Sequence, residues 1–302
     1  MRAKQIAVVG SINADLTVTV ERHPTPGETL LGKGGHITAG GKGGNQALAA
    51  AKLGTHVSMV GAVGRDAYAA PATELLRANG VDMSAVAETD EVTGLAVITV
   101  SRDGENTIIV VPGANSLVDD TYVASHADVI EGAAVVLLQG EIPASGFEKA
   151  VELAEGRVIV NLAPVVEVDH QALLQADPLM ANEHEAGLIL AQFGIEADES
   201  QPEAMAQSLR EVGFKTVVLT LGGAGAIVAE GEELTAIPAV HVKAVDTVGA
   251  GDAFSGALCH RIIEGDSLVE AARFANRVGA YAVTKPGAQP SYPSSSDPLP
   301  EL

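Results

Sequence analysis

The chain has no tryptophan, only four tyrosines and five phenylalanines in 302 residues. A core must therefore be assembled from Ala, Val, Leu and Ile. The hydrophobic content of 47% is enough for one large α/β domain, or one and a half. Basic residues are also scarce: 18 Lys and Arg stand against 39 Asp and Glu, a formal net charge of −21. A field of that sign repels nucleic acid and anionic membranes, which excludes both as partners and by itself names none. With a single cysteine, Cys259, no intrachain disulfide can form, which fits a reducing cytoplasm. In the setting Ala257-Leu-Cys259-His it reads as a small buried apolar residue and not as a reactive thiol. Long hydrophobic runs are missing too. Ile6–Val9 is too short for a signal sequence or a membrane span, and no later stretch approaches the ~18 uncharged apolar residues of a spanning helix.

Several catalytic signatures are absent. Without G-x-x-x-x-G-K-[ST] the chain is not a P-loop enzyme, and without G-x-G-x-x-G after the first strand a Rossmann dinucleotide site loses its fingerprint. G-x-S-x-G, H-E-x-x-H and C-x-x-C do not occur, which removes the usual support for a serine hydrolase, a zincin or a thiol-redox enzyme. His170, His184 and His241 are scattered, and nothing marks them as ligands.

What remains is a regular alternation. Apolar runs at Ile6–Val9, Val57–Val63, Ala134–Gln139, Val158–Leu162 and Thr216–Leu221 read as strands. Between and after them, Asn45–Leu53, Tyr68–Asn79, Ala144–Ala154, Glu183–Gln192, Pro202–Val212, Ala250–Glu264 and Leu268–Val283 read as helices. Strands apolar on both faces that alternate with helices predict a parallel sheet covered on both sides. Leu16–Val20 with Thr29–Thr38, and Leu95–Val100 with Thr107–Val111, break the rhythm. They alternate polar and apolar residues around turn-forming sequences and predict a small β-sheet standing off the main domain. The Ser- and Pro-rich segment from Ser291 to Leu302 reads as a loose tail.

Five motifs carry possible chemistry. Asp246-Thr-Val-Gly-Ala-Gly-Asp252 precedes apolar residues at helical spacing, so Gly249, Ala250 and Gly251 fall at a helix N-terminus, where exposed N–H groups attract anions. Asp252 then either caps that helix or, being ionised at neutral pH, accepts a hydroxyl proton beside a transferring phosphoryl group. Gly40, Gly41, Lys42, Gly43, Gly44 and Asn45 form a turn that is either simply a turn or a close approach to a ligand. Asn13 and Asp15 follow the first strand and, in an extended chain, point to one side, a pairing suited to vicinal hydroxyls if it is more than a solvated turn. Asn182 and Glu185 open a helix at i, i+3, the pattern of a capping box and also of a place to hold Mg²⁺ through water or to order phosphates. Thr220-Leu-Gly-Gly-Ala-Gly225 looks like a loop passing close to a nucleotide.

Taken together and in this order, the motifs resemble the PfkB carbohydrate kinases, and within them the branch that acts on ribose. The resemblance runs from about residue 5 to about residue 292 and is most specific at Gly40–Asn45 and Asp246–Asp252. It implies a ribokinase-like α/β fold, a three-layer α/β/α sandwich with a small β-sheet lid. Residues 1–302 would form one kinase domain, with lid segments at about 14–39 and 93–112. It implies that Asp252 is the catalytic base, with Gly249, Ala250 and Gly251 as the anion hole. Asn13, Asp15, Gly41, Lys42, Gly43, Gly44, Asn45 and Glu141 would bind the sugar. Asn182, Thr220, Gly222, Gly223, Ala224, Gly225, Gly251 and Asn276 would contribute to the ATP site, with Glu185 acting on Mg²⁺. A potassium ion would lie beside Asp246, Val248, Ala282, Lys285, Gly287 and Ser291, several of them through backbone carbonyls. The implied reaction is ATP-dependent phosphorylation of D-ribose at C5, in a cytoplasmic enzyme that pairs as a homodimer through the lid.

The chain departs from the family at Ala181, where Pro is frequent, at Gly140, which is expected to loosen the strand end before Glu141, and at Pro286 in the cation loop. The competing readings are a kinase of the same family for 2-deoxyribose, fructose, a keto-deoxy acid or a nucleoside, and a non-catalytic sugar-binding regulator on the same fold. The intact Asp252 motif counts against the regulator.

Overall fold

Ile6, Ala7, Val8 and Val9 have no solvent exposure, and they sit in the middle of the molecule. Because side chains alternate along a strand, Ile6 and Val8 enter the apolar cluster on one face of the sheet and Ala7 and Val9 the cluster on the other. A computed structural model describes residues 3–301 and builds outward from this strand. Met1, Arg2 and Leu302, the ends of the expected domain and tail, lie outside the described residues.

In chain order the elements are β1 (Ala3–Val9), β2 (Asn13–Thr19), β3 (Gly34–Gly40), α1 (Lys42–Lys52), β4 (His56–Gly64), α2 (Ala69–Ala78), β5 (Asp82–Thr89), β6 (Gly94–Val100) and β7 (Asn106–Val111). There follow α3 (Asp120–Ala124), α4 (Ala127–Gly132), β8 (Ala133–Gln139), α5 (Ala144–Leu153), β9 (Arg157–Asn161), α6 (His170–Leu173), β10 (Leu179–Asn182), α7 (Glu183–Gln192) and α8 (Pro202–Val212). The chain closes with β11 (Thr216–Thr220), β12 (Ala226–Glu230), β13 (Glu233–Ile237), α9 (Ala250–Glu264) and α10 (Leu268–Ala282).

The main sheet has nine strands in the order β13-β12-β11-β10-β9-β8-β1-β4-β5. Pairing is parallel from β11 to β5, and the two pairs at one edge, β11–β12 and β12–β13, are antiparallel. Helices α1, α2, α9 and α10 cover one face and α3 to α8 the other, which is the three-layer α/β/α arrangement. On the first face α1 and α9 lie in close contact: a Cβ at Gly256 would stand 2.6 Å from both the Ala49 Cβ and the Gln46 carbonyl oxygen. That approach carries the start of α9 to the start of α1, and the site is built there.

The second sheet has four strands in the order β3-β2-β6-β7, antiparallel at its two outer pairs and parallel between β2 and β6. Its strand β3 begins at Gly34 and not at Thr29 as the sequence predicts. β2 ends at Thr19, and the Lys33 N–H closes onto the Thr19 carbonyl, so the earlier residues have no strand partner. The tail is not loose either. Tyr292 is 2% exposed, the Ser295 N–H donates to the Lys52 carbonyl, and the Arg277 guanidinium donates to the Leu299 and Pro300 carbonyls. Buried donors and acceptors fix this segment where its Ser and Pro content alone suggests disorder. Among the described residues no helix is long and apolar enough to cross a membrane.

Candidate active site

The glycine-rich turn exists because α1 begins against backbone. Gly41 has φ 82°, and a Cβ there would come within 2.7 Å of the Asn13 nitrogen, so a glycine is needed for both its conformation and its space. The turn is then pinned by side chains from two other strand ends. The Glu141 carboxylate, just past β8, accepts from the Lys42 N–H at 2.9 Å and from the Ser11 hydroxyl at 2.5 Å. Gly140 does not loosen this strand end, contrary to the sequence expectation. A Cβ there would overlap the Pro164 carbonyl oxygen, so glycine permits the close approach.

Asn13 and Asp15 lie on β2, in the second sheet. Asn13 Oδ1 accepts from Asn115 Nδ2 at 2.7 Å, and Asn115 Oδ1 in turn accepts from the Ile12 N–H at 2.9 Å. A Cβ on Gly40 would fall on the Asp15 carboxylate, so that side chain lies flat against the neighbouring strand. Burial pushes the Asp15 carboxyl up to about 6, with the nearby charges of Glu141 and Asp252 acting in the same direction.

Asp252 is 7% exposed in the first turn of α9, and both its oxygens are taken. Oδ1 accepts from Gln46 Nε2 and Oδ2 from Asn45 Nδ2, each at 2.9 Å. The Asp252 carboxylate also holds the Lys42 ammonium above its usual pKa, helped by Glu141 and Glu185, while burial opposes the shift. Gly249 and Gly251 face the same cavity of about 150 Å³, together with Lys42, Asn161, Asn182, Glu185 and Thr220. The Ala250 N–H turns back to the Thr247 carbonyl at 3.3 Å.

This small cavity joins two larger ones. On one side, sharing Lys42 and Glu185 with it, is a cleft of about 670 Å³ between the sheets, reaching Asn13, Glu141 and Val110 of β7. On the other, sharing Thr220 and Gly251, is a groove of about 400 Å³ lined by Gly222, Gly223, Gly225, His241, Phe254 and Asn276. Asn276 Nδ2 is tied to the Pro238 carbonyl at 2.7 Å. Ala224 sits in the same short turn as the glycines, between Gly222 and Gly225.

Asn182 and Glu185 form the capping box: Glu185 N donates to Asn182 Oδ1 at 2.8 Å and Asn182 N to Glu185 Oε2 at 3.0 Å. The box and the cavity lining coexist, since the cap leaves the other carboxylate oxygen of Glu185 out of the motif. Asp246 joins two segments by accepting from the Val248 N–H at 3.0 Å and the Gly287 N–H at 2.8 Å. Next to it the Ala282 carbonyl accepts from the Lys285 N–H, and the Ser291 hydroxyl donates to the Ala288 carbonyl.

Sequence reasoning missed the amides. Gln46, Gln139, Asn161, Asn115 and Gln289 all bond to the site or its immediate supports. Only Gln46 had a signal available, since it directly follows Asn45 in the glycine-rich motif. His241, set aside as unmarked, lines the groove.

Residues 3–295 match the pfkB family of carbohydrate kinases. The chain is 36% identical over 301 residues to a ribokinase from Haemophilus influenzae, covering 98% of this chain and 97% of that one. It is 37% identical over 302 residues to a ribokinase from Schizosaccharomyces pombe, covering 96% and 95%. Among solved structures, a ribokinase from Thermotoga maritima superposes with a TM-score of 0.90 at 32% identity, with 96% of each chain covered. An Arabidopsis thaliana ribokinase complexed with ribose and ATP superposes with a TM-score of 0.89 at 33% identity, again over 96% of each.

Proposed function

Since the chain belongs to the pfkB family of carbohydrate kinases, we propose that it transfers the γ-phosphoryl group of ATP to the C5 hydroxyl of D-ribose, giving ribose 5-phosphate and ADP. The observation that carries this reading is the set of adjoining cavities in which Asp252 stands between a cleft lined by Asn13, Asn115, Lys42, Glu141 and Glu185 and a glycine-lined groove. Full-length relatives that act on ribose, one of them complexed with ribose and ATP, favour ribose over the other family substrates.

In this reading ribose lies in the cleft, with Asn13, Asp15, Lys42, Asn45 and Glu141 as its partners and the backbone of Gly41, Gly43 and Gly44 close by. ATP lies along the groove past Thr220, Gly222, Gly223, Ala224, Gly225 and Asn276. Asp252 takes the proton from the C5 hydroxyl as its oxygen attacks the γ-phosphorus and the bond to ADP breaks. The start of α9, at Gly249, Ala250 and Gly251, meets the charge that develops on the phosphoryl oxygens. The reading treats the chain as one kinase domain with 14–39 and 93–112 as its lid, working in the cytoplasm.

A divalent cation fits this site in one way. Among the described residues no group of three or more His, Cys, Asp or Glu could hold a metal ion. A hard ion that keeps its waters and takes phosphate oxygens needs one or two carboxylates and no protein cage, and Glu185 beside Asn182 answers that need for Mg²⁺. Such an ion neutralises charge on the phosphates of ATP.

For potassium, the segments bound together by Asp246 offer the carbonyl-rich setting. We expect potassium to raise the rate by ordering the turn before α9, read by comparing potassium with tetramethylammonium buffers. Equal rates would remove Asp246, Val248, Ala282, Lys285, Gly287 and Ser291 from that role.

The second sheet supports a homodimer through the lid. All six residues of β7 are exposed, with Ile108 at 53% and Ile109 at 61%. An open apolar strand at a sheet edge invites pairing. Light scattering should give twice the 30.7 kDa chain mass at micromolar concentration, and a monomer mass would refute the pairing.

The function itself is tested by ADP release with ribose, 2-deoxyribose, fructose and adenosine under one set of conditions. Ribose should have the highest kcat/KM. A higher value for any other overturns the substrate but not the kinase; no ADP release with any of them overturns both.

A further inference from the structure

Gln46 is wholly buried, yet every polar hydrogen and its acceptor are occupied. Nε2 donates to Asp252 Oδ1 at 2.9 Å and to Asn161 Oδ1 at 3.0 Å, and Oε1 accepts from Gln139 Nε2 at 2.8 Å. Turning the amide over would set its oxygen against the oxygens of Asp252 and Asn161 and its nitrogen against that of Gln139, so only one orientation is tolerable. The other carboxylate oxygen is held differently. Asn45 Nδ2 donates to Oδ2, and Asn45 is itself held through Oδ1 by Gln289 Nε2 at 3.0 Å. Asn45 retains 7% exposure, whereas Gln46, Gln139 and Gln289 retain 1% or less.

We propose that Gln46, oriented by Gln139, is the positioning residue for Asp252. It locks Oδ1, so that Oδ2, whose partner Asn45 keeps some exposure where Gln46 has none, is the atom that receives the C5 hydroxyl proton. This rests on the functional reading above. The O–H bond breaks, leaving its proton on Oδ2, as the oxygen–phosphorus bond forms, and the bond from the γ-phosphorus to the bridging oxygen breaks with its electron pair leaving on ADP. A carboxylate free to rotate would present either oxygen at a range of angles; one anchored oxygen fixes the plane of the other.

The charged and titratable groups around Asp252 are Lys42, Asp15, Glu185 on the cavity wall, and the buried Tyr292 hydroxyl. None of them is altered by the following test. Gln46→Met keeps the volume and removes the donor; Gln46→Glu keeps the shape and the acceptor for Gln139 but sets a like charge against Asp252. Both should lower kcat by about 10- to 100-fold, with ribose affinity, measured by calorimetry, changed by no more than about twofold. The acid limb of kcat at saturating substrates should move to higher pH, further for Glu than for Met, because the ionised base has lost its donor. Gln139→Met should act in the same direction more weakly, and combining it with Gln46→Met should add almost nothing, as for two members of one relay.

A residue that only fills space would lower stability and leave the acid limb where it was. An unmoved limb in folded Gln46→Glu and Gln139→Met overturns the proposal, as does a loss of ribose affinity equal to the loss of kcat. If Gln46→Met does not fold, those two variants decide. If the wild type turns over a sugar other than ribose, the substrate reading fails while the limb shift, measured with that sugar, still judges Gln46.

Discussion

Asp252→Asn is expected to reduce kcat by roughly 10²- to 10⁴-fold, the range that a general base contributes. The folded protein should still bind ribose. The substitution keeps the shape and one acceptor but removes the site for the proton. It also sets an amide nitrogen against one of two existing donors, Gln46 Nε2 or Asn45 Nδ2, each now 2.9 Å from a carboxylate oxygen. Because α9 is long and packed on α1 and α10, loss of the charge in its first turn leaves the helix in place. Coupled ADP-release kinetics with ribose calorimetry separate the two quantities. A variant keeping more than about a tenth of the wild-type rate removes Asp252 from the role of base.

Asp15→Asn should have opposite effects on stability and on binding. The folded-state pKa of Asp15 is raised from 3.8 to about 6, so the native protein holds this proton more tightly than the unfolded chain does. For a raised pKa, the stability from the group is fully present below the unfolded value and is lost as pH rises through the folded one. Between about pH 4 and pH 6 the protein therefore loses stability from Asp15, and at pH 7.5 it carries the full penalty of a buried charge, roughly 2–3 kcal/mol. The neutral amide removes that penalty, and the melting temperature at pH 7.5 should rise by several degrees. The gain should vanish below about pH 4. Over the same change kcat/KM for ribose should fall about 10- to 100-fold, since a charged acceptor for the sugar hydroxyls is replaced by a weaker one. Equal melting-temperature gains at pH 4 and pH 7.5 would contradict the electrostatic account, and an unchanged KM for ribose would contradict the contact.

Much of the frame was legible because it is local. Helix α7 runs from Glu183 to Gln192 as the spacing predicts, since Asn182 and Glu185 mark its start by residue type alone. Helices α8 and α9 likewise fall on their predicted bounds. Strands β5, β10, β12 and β13 were not seen. β10 has only four residues, and β13 mixes Glu and Thr with its apolar positions, so no run or alternation stands out. Asp252 and Lys42 were legible because an acid or an ammonium beside glycines at a helix start is unusual chemistry. The amides around them, Gln46 aside, were not, because nothing in a lone glutamine such as Gln289 distinguishes a solvent-facing side chain from one that reaches a partner 244 residues away. The tail misled for the same reason: Tyr292 and the carbonyls of Leu299 and Pro300 become anchors only when Arg277 and the start of α9 are folded beside them.

The acids in and beside the cavity are divided between two bodies. Asp15 rides on β2 of the small sheet, while Glu141 and Asp252 belong to the large one, and their charges add to the burial that keeps Asp15 from ionising easily. On the function proposed above, a neutral polyol would relieve this tension, because its hydroxyls could donate to carboxylates on both sides of the seam and bring no charge of their own. The phosphorylated sugar is a dianion facing the same acids. Like charges that were spectators to the incoming molecule would become a force against the outgoing one, opposed by Lys42 and the start of α9. On the function proposed above, the arrangement that admits a neutral sugar would also press against its charged product, so the sign of the pocket would favour release.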